Sequence, residues 1–424
     1  MTGVRLNELR INASRLQNKI GALARFGLNE ATGGLDRTTF TAAELAAREW
    51  LEDELLQLQL EVRVDEAANI WARRAGAADN LPVIAFGSHI DTVPNGGKYD
   101  GALGVLLALE VMNVLADHQM VTRHPLELVS FSAEEPNPFG LSTFGSRAVS
   151  GKLSRGDLSG VRNEQGQLLI DALRQAGGDP GRFELARRTP QELAAFLEVH
   201  IEQGKRLLDR SIPVGIVTAI TGIYREEVSV IGEANHAGTT LMADRRDALM
   251  GASEMMLAFE AVCREHPAEE VVGTIGRIMN EPNAANIIPQ KVLFHLEARG
   301  EQRSQIGEVM EAWGRHAASI AERRGLRLNR RLILDQPPQP MDPLLITSFA
   351  EQAVQLGIQS LMLGSMAGHD ATHMASLTRA GMLFVPSLGG KSHCPEEESR
   401  IEDIEQAGNV LLQAILTLDG QLSL

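Results

Sequence analysis

Three kinds of segment in this chain set imidazoles and carboxylates at spacings that chemistry can use. The first is GSHIDTVPNGGKYDG, residues 87–101. His89, Asp91 and Asp100 there leave an apolar run in a loop that Gly96 and Gly97 let bend sharply. Imidazole and carboxylate together suit a borderline divalent ion such as zinc, cobalt or manganese. Asp91 follows His89 by two residues, so on an extended chain both point to one side. Asp91 can then accept the second ring N–H of His89 and orient the ring. A hydrogen-bonded polar loop is an equal reading of this segment alone. The second is Glu134-Glu135, at the end of another apolar run. Adjacent carboxylates repel unless a cation or shared proton sits between them. One binding metal while the other takes a proton from water as general base would reconcile them; a solvated loop is the plain alternative. The third is a set of histidines in polar, glycine-bearing contexts: His200 in EVHIEQG, His236 in GEANHAGTT, His369 in AGHDA and His393 in GGKSHCPEE.

The other six histidines, His118, His124, His266, His295, His316 and His373, lack a converging context and read as structural. Cys394 beside His393 reads as a small packing residue rather than a thiol nucleophile. No GxSxG elbow, Walker loop or strand-following GxGxxG occurs, so serine-nucleophile, nucleotide-hydrolysing and dinucleotide-binding chemistries have no support.

These segments need elements to carry them. Residues 41–60 predict a helix, with capping-box spacing at Thr41 and Glu44 and an apolar stripe of Ala47, Leu51, Leu55 and Leu58. Apolar runs at 81–87 and 126–132 predict buried strands, with a helix over 101–115 between them. Strands alternating with helices predict an α/β fold whose mostly parallel sheet is covered by helices, with ligand sites at the strands' carboxyl ends. From about Ile216 the order becomes strand (226–231), helix (243–263), strands (271–278 and 292–298), helix (302–324) and strand (326–334). That β-α-β-β-α-β series predicts an inserted ferredoxin-like α+β domain. A strand at 382–386 and a helix at 401–418 then resume the first pattern. The expected division is 1–215, 216–333 and 334–424, the outer two forming one catalytic domain, with a hinge near Ile216 and Leu334.

The chain has 424 residues, 44% of them apolar, with 55 Asp and Glu against 40 Lys and Arg, a formal charge of −15. Ample apolar content allows a large core, and the acid excess argues against nucleic-acid or anionic-membrane partners. Two cysteines exclude a disulfide scaffold. No apolar run approaches the roughly 20 residues that cross a bilayer, and residues 1–25 lack the apolar stretch of a signal peptide, so a cytoplasmic protein is expected.

Taken together, seven segments in order resemble the M20 metallopeptidase clan, in particular its hydantoinase/carbamoylase amidases: N-carbamoyl-L-amino-acid hydrolases, allantoate amidohydrolases and β-ureidopropionases. They are GSHIDTVPNGGKYDGALGVL, FSAEEPNPFG with GSRA, EVHIEQG, GEANHAGTT, NIIPQKVLFHLEAR, GHDA and GMLFVPSLGGKSHCPEE, across about 87–400. The resemblance implies two divalent ions (Zn, Mn, Co or Ni) bridged by Asp100, one held with His89 and His200, the other with Glu135 and His393. It implies Glu134 as general base, Asp91 orienting His89, and His236 of the inserted domain stabilising an oxyanion in a neighbouring subunit's site. Asn286 and Arg299 would clamp a substrate carboxylate, and Gln203 and His369 would touch substrate or support the ligands. The implied protein is a homodimer, joined through the inserted domain, that cleaves a linear C–N bond of an N-carbamoyl or ureido amino acid. An aminoacylase or dipeptidase, and a catalytically silent binding protein, are the alternatives. Departures bear on specificity: Gly222-Ile223-Tyr224-Arg225 stands where many relatives carry a Gly-Gln-Arg run, so Tyr224 counts against allantoate unless Arg225 substitutes; Leu241 stands where proline is common, Cys394 where serine is common, and Pro-Asn-Pro-Phe follows Glu135.

Overall fold

The computed structural model describes residues 6–268 and 270–421. It divides into two compact units, one made of residues up to 218 with 340–363 and 369 onward, the other of 219–339 with 364–368. The strands in chain order are β1 (Glu61–Val64), β2 (Ile70–Arg74), β3 (Val83–His89), β4 (Leu126–Phe131), β5 (Leu193–Ile201), β6 (Val214–Ile220), β7 (Gly222–Ile231), β8 (Val272–Glu281), β9 (Lys291–Gly300), β10 (Arg327–Gln336), β11 (Gln339–Pro340), β12 (Ser360–Ser365) and β13 (Ala380–Val385).

The larger unit is built on a sheet of order β1-β2-β4-β3-β5-β13-β6-β11, with β12 also on β6. Its four central strands, β4, β3, β5 and β13, run parallel. The flanking pairs β1–β2, β2–β4 and β13–β6 are antiparallel. The expected mostly parallel sheet is therefore parallel where it is buried and antiparallel towards its edges. Every residue of β3, β4 and β13 is buried, as strands covered on both faces require. Ala195, Leu197 and Val199 join a core with helix Ala102–Asp117, which is apolar almost all round. On the opposite parity Phe131 packs edge-on against Trp71 and Phe196, with centroids 6.1 and 5.7 Å apart. Helix Ala42–Gln57 begins where the capping signal places it: the Thr41 hydroxyl accepts from Glu44 N.

The smaller unit is an antiparallel sheet of order β10-β7-β9-β8 with helices Ala248–Glu265 and Arg303–Arg324. The first helix starts at 248 rather than the expected 243, because Asp247 caps it by accepting from Leu249 N and Met250 N while 242–244 form a separate tight turn.

One element that carries a candidate ligand gives a weak pattern. Strand β5, which carries His200, interrupts its apolar run with Glu198 and His200 and so lacks a strand signature. Helix Pro343–Gln355, capped by Asp342, packs on β13. The sheet depends on its aromatic stack: Phe196→Ala should lower the unfolding free energy by about 3–5 kcal/mol, read as a fall in the denaturation midpoint.

Candidate metal centre

Four neighbouring parallel strands deliver their carboxyl ends to one place. Strand β3 ends at His89, β4 leads to Glu134 and Glu135, β5 carries His200 near its end, and β13 leads to the loop holding His393. The backbone at these ends is bent. Ala133 has φ +53, and its carbonyl and that of Glu134 accept from Phe144 N and Thr143 N, which swings both glutamates off the strand. His393 and Gln203 also lie in the left-handed region, at φ +57 and +59. Non-glycine residues there are strained and persist where surroundings over-determine them.

The side chains converge on Asp100. Its Oδ1 lies 3.1 Å from His200 Nε2 and 3.7 Å from His89 Nε2, and its Oδ2 lies 3.3 Å from His393 Nε2. His393 Nε2 is also 3.3 Å from Glu135 Oε1. Two ligand-like groups result, His89–Asp100–His200 and Asp100–Glu135–His393, each with donor atoms within 4.8 Å of one another. One carboxylate thus turns one oxygen to each group.

Hydrogen bonds fix which ring nitrogens face inward. His89 Nδ1 lies 3.0 Å from the Asp91 carbonyl and His200 Nδ1 lies 2.9 Å from the Ile201 carbonyl. Each Nδ1 must therefore donate, which leaves both Nε2 atoms as acceptors beside Asp100, that of His200 also accepting from Gly101 N at 3.2 Å. Lone pairs of nitrogen and oxygen at such distances repel unless a proton or cation lies between them. The donor set of three imidazoles and two carboxylates fits divalent ions. Gly101 contributes by lacking a side chain: at φ +63, a Cβ there would stand 2.2 Å from the His89 ring.

Protonation shows the same demand for positive charge. Burial disfavours charged His89, yet Glu134 and Asp91 outweigh it and hold its pKa well above the ordinary value. Burial opposes ionisation of Asp100 too, but His200, His393 and His89 hold its pKa well below the ordinary range. Hydrogen bonds to Asp100 and Glu135 push the His393 pKa up to about 10. Burial, with Asp370, Glu135 and Asp91 as like charges, pushes Glu134 well up.

The sequence-predicted residues fall into two groups. His89, Asp91, Asp100, Glu134, Glu135, His200, Gln203, His369 and His393 all belong to the larger unit. Asp91 does more than flank His89. Its oxygens accept from the Thr39 hydroxyl, Glu134 N and Glu135 N, so it ties the His89 loop to the glutamate loop, and the Asp91 carbonyl is nearer the His89 ring than its carboxylate is. Gln203 Nε2 donates to Asp100 Oδ2 at 2.7 Å. The His369 ring meets the His200 ring edge-on at 4.5 Å and is kept neutral by burial, with His200 and His89 adding to the effect. His236, Asn286 and Arg299 belong to the smaller unit. There His236 Nδ1 accepts from Gly238 N and Thr239 N, and Ala237 N donates to the Asn286 carbonyl. Arg299 donates through Nε to Glu297 and through Nη1 to the Met366 carbonyl. Sequence reasoning missed Thr39, Glu198, Ser392 and Glu397. Glu198, at β5 position −2 from His200, is the one with a local signal, being a lone acid in a buried strand.

The model of peptidase family M20/M25/M40 matches residues 85–417. The chain belongs to that family. It is 36% identical to an N-carbamoyl-L-amino acid amidohydrolase of Geobacillus stearothermophilus, over 96% of this chain and 99% of the relative. An allantoate amidohydrolase of Bacillus subtilis is 37% identical, over 90% and 92%. A crystal structure of an amidase of the hydantoinase/carbamoylase family from Burkholderia multivorans superposes with a TM-score of 0.89 at 32% identity, covering 96% of this chain and 98% of that one. Within the M20 family the chain therefore groups with these hydrolases of linear amide C–N bonds.

The protonation pattern sets a pH dependence for the metal-free chain. A raised folded pKa means that the folded state holds its proton more tightly than the unfolded one. For His393 the resulting stabilisation is full below about 6.5, the unfolded value, and is lost as pH rises through about 10. Asp370, raised by burial and Glu198 to about 8, acts in the same direction from about pH 4 upward. The melting temperature of chelator-treated protein should therefore fall steadily between pH 6.5 and 9.5, and saturating Zn²⁺ should flatten that slope, as differential scanning fluorimetry would show.

Proposed function

We propose that this protein is a dinuclear metal-dependent amidohydrolase that cleaves the carbamoyl C–N bond of an N-carbamoyl-L-amino acid. The observation that carries this reading is the Asp100 carboxylate, which gives Oδ1 to the His89–His200 pair and Oδ2 to the Glu135–His393 pair. His89, Asp100 and His200 would hold one divalent ion and Asp100, Glu135 and His393 the other, from among Zn, Mn, Co and Ni. When bound, such ions acidify water and polarise a carbonyl.

The chain's own groups do the rest. Glu134, with its Oε2 3.7 Å from His89 Nε2, takes the water's proton and returns it to the leaving nitrogen. His236 accepts two backbone N–H bonds at Nδ1, so the proton sits on Nε2 and points outward, as an oxyanion donor in a neighbouring subunit's site requires. Arg299 uses Nε and one Nη1 hydrogen internally, and its remaining N–H groups suit a substrate carboxylate, with Asn286 beside it in role. Gln203 keeps Asp100 in place, and His369, neutral beside His200, contributes a wall for substrate.

Two engaged side chains favour an N-carbamoyl amino acid over allantoate. Arg225, the candidate to replace the arginine of many relatives, pairs with Glu297, and the Tyr224 hydroxyl pairs with Glu226. A homodimer through the smaller unit is supported by β8, which ends its sheet and exposes Val272, Ile278 and Met279. The cytoplasm is the proposed location. Among the described residues no helix is long and apolar enough to cross a membrane.

Ammonia release should be measured across N-carbamoyl, N-formyl and N-acetyl amino acids and allantoate with metal-reconstituted protein. The N-carbamoyl compounds should give the highest kcat/KM; preference for the N-acetyl series would replace this reading with an aminoacylase. Glu134→Gln should bind metal normally and lose at least about 100-fold in kcat, the range of general-base contributions. Retention of wild-type activity with both ions bound would remove Glu134 from the mechanism. Ile278→Lys should shift sedimentation velocity from dimer to monomer with the metal content unchanged.

A further inference from the structure

One buried carboxylate outside the donor set reaches the backbone of both loops that supply Asp100 and His393. Glu397 is 2% exposed. Its Oε1 accepts from Tyr99 N at 2.8 Å and Asp100 N at 3.0 Å. Its Oε2 accepts from His393 N at 3.3 Å and lies 3.1 Å from the Ser392 hydroxyl, which is also 2.7 Å from Asp100 Oδ2. Nearly three hundred residues separate the two loops in sequence, and this one side chain joins them.

Two features show that the fit is close. A Cβ at Gly97 would stand 2.2 Å from Glu397 Cδ and Oε1 and 2.4 Å from its Cβ, so the first loop closes over Glu397 only because position 97 has no side chain. His393 holds a left-handed backbone, φ +57, while its N–H is bound to Glu397. A histidine keeps such a conformation only where its neighbours impose it.

His89 and His200 are secured differently. Both stand in strands paired within the sheet, with each Nδ1 bonded to a backbone carbonyl. Asp100 Oδ2 has a second tether in Gln203. The Glu397 bond is the one that links the backbone of His393 to that of Asp100.

We propose that Glu397 is a positioning residue for the second ion: it sets the Asp100-to-His393 spacing, and so governs the affinity of the Asp100–Glu135–His393 group while leaving His89–Asp100–His200 largely untouched. This rests on the two-ion reading above. Glutamine at 397 keeps the volume but has one acceptor oxygen, so its amide would face one pair of N–H or O–H donors with donors of its own.

The test is calorimetric titration of chelator-treated protein with Zn²⁺. Wild type is measured first; fewer than two sites there would fail the two-ion reading itself rather than the role of Glu397. In Glu397→Gln one site should stay within threefold of wild type while the other weakens at least about tenfold, the range for residues that support metal ligands. Activity lost at limiting Zn²⁺ should return at saturating Zn²⁺. Both sites within threefold of wild type, or both weakened together in step with a lower metal-free melting temperature, would overturn the proposal. If Glu397→Gln does not fold, Gly97→Ala displaces the same carboxylate from the other side, and the same two outcomes decide.

Discussion

The larger unit is organised around a problem of charge: several buried carboxylates meet the buried rings of His89 and His200 and the more exposed ring of His393, and must be neutralised together. Asp100 lies at its centre, with an oxygen towards each histidine-bearing group. Buried like charges are costly and buried opposite charges are compensated only at close range. His89 and His200 therefore take a backbone anchor on Nδ1, and the Nε2 of all three rings is held near a carboxylate. The glycines, the left-handed residues and the second set of carboxylates around this place all follow from packing that many polar side chains at strand ends.

That arrangement requires a rigid frame, which the parallel strands supply. Four adjacent strands with their carboxyl ends level can present residues from distant sequence positions side by side, which no local structure can do. The covered sheet resists displacement because both faces are packed, one on the helix Ala102–Asp117 and the other on the Phe131–Phe196 contact. The turn residues can then be strained, since the frame on either side holds them.

The smaller unit follows a different logic. Its antiparallel sheet and two helices form their own core around Phe259, Phe294 and Trp313. The functional candidates on it, His236 and Arg299, are oriented by short-range bonds within that unit, to backbone amides of the same turn and to Glu297 and Met366. Each side chain is thus held by groups of its own unit.

Much was legible in the residues themselves. The histidines and acids in glycine-bearing loops, the buried runs before them and the β-α-β-β-α-β series are local patterns, and seven ordered motifs carried the family. The same linear information did not reveal that Asp91 fastens the glutamate loop, that Gln203 serves Asp100, or that Thr39, Ser392 and Glu397 take part. It also gave a helix start five residues early at 243 and left β5 without a strand signature. The reason is physical. Periodicity, capping and donor type are properties of neighbours along the chain, so they can be read in one dimension. Which lone pair faces which carboxylate, and which buried acid joins two loops almost three hundred residues apart, depends on through-space contacts that exist only once the strands have aligned.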